Sequence, residues 1–102
     1  DKSNFFIENL FIFTDIVVFV FAKSGAEIYK QCAGCHGKDG KKNAIGRSAI
    51  IAKQNPSLTI KQLKAYKAGT LNLHGMGAVM KKNVAHLSNS DIKAVANYIS
   101  HL

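Results

Sequence analysis

The chain has 102 residues, fourteen Lys and Arg against six Asp and Glu, two cysteines, one proline and no tryptophan. A chain of this length is one small domain whose apolar core is marginal by itself, and abundant Ala, Lys, Ile and Leu favour helices over a sandwich or barrel. The net charge of +8 invites a nucleic-acid reading, but the lysines are not interleaved with exposed aromatics, which excludes one; the charge is better spent on steering toward acidic partners.

Composition breaks near residue 22. All six phenylalanines (Phe5, Phe6, Phe11, Phe13, Phe19 and Phe21) precede it. After it, thirteen basic residues face three acids, Glu27, Asp39 and Asp91. The apolar run from Leu10 to Ala22 is interrupted only by Thr14 and Asp15. It has the small residues of a signal cleavage site but no basic leading region. As a membrane span it is barely long enough, and Asp15 sits near its middle at a cost. Its Phe, Ile and Val content also suits a strand. Residues 1–22 are expected to be a retained, signal-like helical segment that anchors to membrane or partner, and residues 23–102 a separate domain.

The stretch from Ser24 to Cys32 reads as a short helix, with Ser24 as N-cap and Glu27 three residues on in a capping box. It leads into Cys32-Ala33-Gly34-Cys35-His36. Two cysteines two residues apart, with a histidine directly after, form the attachment signature of a c-type haem. Each thiol adds to one porphyrin vinyl group, and the spacing lets both reach the same macrocycle edge. The histidine then lies under the iron as proximal ligand. Two rivals apply. A thioredoxin-like dithiol needs a βαβ context that is missing before Cys32, and a zinc site would have to recruit scattered His74, His86 or His101.

Gly37 to Lys42 is a polar, glycine-rich turn. Residues 43–58 are expected to be an irregular loop stopped by Asn55-Pro56. Thr59 is expected to open a second helix, with Gln62 at the capping-box position and Gly69 as C-cap after Ala68. Residues 69–87 read as a long functional loop. Ser88 caps a final helix with Asp91 favourable to its dipole. Its apolar positions Ile92, Val95, Ala96, Ile99 and Leu102 make a core-facing stripe.

The order of a capped helix ending in the haem motif, a glycine-rich turn, a middle helix, a Met-bearing loop and a last helix with Tyr98 resembles a class I cytochrome c, in particular the small single-haem periplasmic cytochromes of bacteria. Ile28 to Cys32, His36-Gly37, Ile45 to Ser48 and Ser90 to Ser100 carry the resemblance, which covers residues 23–102. It implies an all-α cytochrome c fold of three to four short helices around one covalently attached haem c. One departure stands out: Ala44-Ile45-Gly46 lacks the proline many members carry after the haem motif, leaving the carbonyl that orients the proximal histidine unassigned.

The residues leave Met76, Met80, His74 and His86 as sources of a sixth iron ligand; the resemblance implies Met80, with Met76 as runner-up. A thioether opposite imidazole favours ferrous iron, and six-coordinate iron suits electron transfer rather than catalysis. Cys32, Cys35, His36 and Met80 are therefore the expected haem-binding set. Lys38, Lys41, Lys42, Lys81 and Lys82 are the candidates for a basic ring around the haem edge. The expected role is an electron carrier, not an enzyme, in or at the membrane surface of the bacterial periplasm. Its partners would be acidic-faced redox proteins such as a terminal oxidase or dehydrogenase. The alternatives are a fixed haem subunit of a membrane redox complex, or a sensor or peroxidase-like enzyme with a labile sixth ligand.

Overall fold

The computed structural model describes residues 23–43, 46 and 49–102. The apolar segment 1–22 and most of the 44–48 stretch, with the expectations attached to them, lie outside the described residues. Among the described residues four helices follow one another: α1 (Gly25–His36), α2 (Pro56–Ala68), α3 (Gly77–Val84) and α4 (Asn89–Ile99). No strand occurs among the described residues.

The N-caps explain the starts. Ser24 Oγ accepts from the Glu27 N–H at 3.2 Å and opens α1. At α4 the capping box is complete, with Asp91 N–H donating to Ser88 Oγ and Ser88 N–H donating to the Asp91 carboxylate. Helix α2 differs from the sequence expectation. It begins at Pro56, with Asn55 as N-cap accepting from Ser57 N–H at 2.8 Å. Proline has no N–H to leave unpaired in a first turn and its φ is already helical, so Pro56 starts this helix rather than ending a loop. Thr59 is therefore a buried residue inside the helix and not its cap. The end at Gly69 is as expected, in the left-handed region with its N–H on the Ala65 and Tyr66 carbonyls. The 69–87 stretch is also corrected: its second half is helix α3.

The core is one cluster of Ile28, Tyr29, Val84, Leu87, Ile92, Val95 and Ile99. Helix α4 is its hub: α1 packs on it from one side, and α2 packs on both α4 and α3. The α1–α4 crossing is close because residue 25 has no side chain. A Cβ there would lie 2.2 Å from the Ala94 carbonyl oxygen and 2.8 Å from Tyr98 Cβ. Beside the crossing, the Tyr29 and Tyr98 rings meet tilted, with centroids 5.4 Å apart. Helices α1 and α3 do not pack on each other. The gap between them is where the site lies.

Candidate functional site: a haem cleft

The cleft is open to solvent on one side, and its lining is largely apolar. Helix α1 contributes Cys32, Cys35 and His36 to one part; Ile51, Leu63, Val84, Leu87, Val95 and Ile99 form its floor and sides. Leu73 and Val79 line it as well yet remain 60% and 46% exposed, so the mouth is an apolar rim rather than a closed wall.

The motif side chains meet here because an α-helix carries them. Cys32 and Cys35 are three apart, which puts them on neighbouring turns of one face, and His36 follows Cys32 by a full turn. Both thiols are free. Burial pushes the Cys32 thiol up to about 11, with the nearby Cys35 adding to the effect. A redox dithiol works by the opposite arrangement, a thiolate stabilised at neutral pH, so the dithiol reading loses its chemistry. No cluster of three or more metal-ligating side chains occurs among the described residues, which leaves the zinc reading without a site.

His36 is buried, and desolvation pushes its imidazole below the ordinary value. A neutral ring is the form that ligates a metal. Its Nδ1 is buried without a hydrogen-bond partner. An orphaned ring nitrogen in an apolar cleft is a cost to a free imidazole and a normal feature of one whose nitrogens are meant for an iron and a second group. The donor set, two thiols and an imidazole on one face above an apolar floor, fits a covalently held haem.

Met80 and Met76 both line the cleft. They are one helical turn apart, with Met80 N–H on the Met76 carbonyl at 3.0 Å. Met80 also packs against the core cluster, whereas Met76 sits at the N-cap of α3. His74 lines the cleft too; His86 and His101 are exposed and do not. The five candidate lysines are all exposed and outside the lining. Lys42 Nζ donates to the carbonyl of Gly34 inside the motif, at 3.5 Å.

Sequence reasoning missed a polar group in the wall. The Gln54 amide donates to Thr59 Oγ1 and to Gln62 Oε1, each at 2.8 Å, and all three residues line the cleft. The sequence pattern points Thr59 and Gln62 to helix capping instead. Only the fold brings Gln54 over them, so no local signal could have found the group.

Comparison with known proteins decides the family. The cytochrome c profile matches residues 22–102. The chain belongs to the cytochrome c family. It is similar to cytochrome c-553 of Nitratidesulfovibrio vulgaris, strain Miyazaki F, at 40% identity over 79% of this chain and 78% of that protein. Cytochrome c-553 of Helicobacter pylori, strain 26695, is 40% identical over 72% of each chain. Cytochrome c4 of Stutzerimonas stutzeri is 30% identical over 79% of this chain, which covers 43% of that protein. This cytochrome c therefore has the all-α fold of its family, carries covalent haem c and serves electron transport.

Proposed function

We propose that this cytochrome c is a small single-haem electron carrier of the bacterial periplasm, with Cys32 and Cys35 as thioether attachments, His36 as proximal ligand and Met80 as distal ligand. The observation that carries the reading is the shared cleft: the haem motif on α1 and Met80 on α3 line one apolar space between the two helices. Haem c supplies an iron that takes up and releases one electron. The chain's own residues do the rest. The cysteines fix the group to α1; His36, kept neutral by burial, presents a ring nitrogen; and the Leu63, Val84 and Leu87 surfaces keep water from the interior. A thioether and an imidazole together leave no vacant position for a substrate, so the role is transfer and not catalysis. Met80 is favoured over Met76 because its side chain rests on the core, which holds a ligand atom in place. Acidic-faced partners, of the kind a terminal oxidase or dehydrogenase presents, are read from the excess of lysine.

The test is direct. Denatured protein should keep its haem through electrophoresis, and a Cys32→Ala, Cys35→Ala pair should lose it. Met80→Ala should abolish the thioether-to-iron charge-transfer band of the ferric protein and lower its potential, while Met76→Ala keeps both. The reverse outcome for the two methionines would make Met76 the ligand.

A further inference from the structure

Helix α3, which carries Met80, begins without a cap of its own. Met76 holds the N-cap position and makes no side-chain hydrogen bond to the helix, and the first turn contains no acid. At eight residues it is well below the length that sustains an isolated helix in water. The orphan N–H groups of its first turn need partners from outside.

Asn72 supplies one from the preceding loop. Its Oδ1 accepts from the Gly77 N–H at 2.7 Å. The fit leaves no slack: a Cβ on Gly77 would lie 2.4 Å from the Leu71 carbonyl oxygen and 2.9 Å from Asn72 Oδ1. The far end of the same loop is also fastened, since the Thr70 N–H and hydroxyl both donate to the Ala65 carbonyl, at 3.0 and 3.2 Å. The connection from α2 to α3 is thus tied at both ends, and its second tie lies one turn before Met80.

We propose that Asn72 is a positioning residue for Met80: by holding the Gly77 N–H it sets where α3 starts, and so how far the thioether reaches into the haem cleft. This rests on the reading of Met80 as distal ligand. Loosening the tie lets the first turn fray and the thioether withdraw, which opens the iron to an added ligand.

The test is imidazole titration of the full-length ferric holoprotein, following loss of the charge-transfer band. Asn72→Ala should bind imidazole about fivefold more tightly than the unaltered protein, the size of a typical cap deletion. Asn72→Asp keeps an acceptor oxygen and should return within about twofold. Asn55→Ala is the control: it removes an equivalent cap, on Ser57 N–H at the start of α2. It should lower unfolding stability to a similar degree and leave imidazole affinity alone. If Asn72→Ala will not hold haem, Asn72→Gln, whose amide oxygen is displaced by one methylene, gives the same comparison. Equal imidazole affinities for the Asn72 and Asn55 variants would overturn the proposal. Failure of the underlying reading looks different, because the band would then survive Met80→Ala whatever happens at residue 72.

Discussion

At the scale of single residues, Tyr29 binds the turn after the haem motif to the core. It is 3% exposed, and its hydroxyl donates to the Gly37 carbonyl at 2.6 Å. Burial, reinforced by nearby acidic groups, raises the phenol from 10 to about 12. The folded state therefore holds the proton more tightly than the unfolded state does. The stabilisation is complete below the ordinary tyrosine value and drains away as pH rises through that value toward about 12. Tyr29→Phe should cost about 1 kcal/mol at neutral pH, by urea unfolding. It should also flatten this alkaline decline; an unchanged slope would mean other groups cause it. Lys53 offers a gain instead. It is the one non-glycine residue at positive φ among the described residues, at 62°, held there by its N–H on the Ile99 carbonyl. Lys53→Gly keeps that hydrogen bond and removes a left-handed cost of about 1–2 kcal/mol, partly offset by the freedom glycine gives the unfolded chain, so it should stabilise by about 0.5 kcal/mol.

At the scale of elements, the capping box of α4 carries a prediction of its own. Hydrogen bonds from the Ser88 backbone and side chain hold the Asp91 carboxyl below its usual value. Its stabilisation is therefore present above the unfolded carboxyl value and is lost as pH falls through the lower folded one. Ser88→Ala should cost about 1 kcal/mol, and Asp91→Asn should lower stability at neutral pH while flattening the decline in acid; thermal melts at neutral and acid pH separate the two. Elements of this sort were legible in the sequence because their signals are local. Ser24 and Ser88 announce α1 and α4, Gly69 ends α2, and the cysteine spacing names the site. The rest was not local. Pro56 reads as a stop or a start depending on which side the helix lies. Gly77 makes α3 look like loop, although its missing side chain is what lets the Leu71 carbonyl approach. The Gln54 network joins a connecting loop to the next helix, and sequence order alone does not bring it to the cleft.

At the scale of the molecule, the cytochrome c family match begins at residue 22 and every expected haem-binding residue lies after it. Deleting residues 1–22 should therefore leave the haem spectrum unchanged while abolishing any membrane or partner attachment; a truncated chain unable to hold haem would place that segment in the core. The excess of lysine over acid in residues 23–102 acts at longer range. Electron-transfer rates with an acidic partner should fall steeply as salt rises, since steering is screened beyond roughly 8 Å at physiological ionic strength. Salt-indifferent rates would favour a permanently bound subunit over a diffusing carrier.

The notch at Gly25 has a bearing on how the molecule comes into being. The surfaces that fill it, the Ala94 backbone and Tyr98, belong to the last helix of the chain. During synthesis the cysteines emerge long before that helix exists, and until it arrives Ile28 and Tyr29 lack Ile92, Val95 and Ile99, the larger part of the cluster they pack in. For that interval the attachment motif stays open to the machinery that must reach both thiols. The docking of α4 is what shuts the door on it.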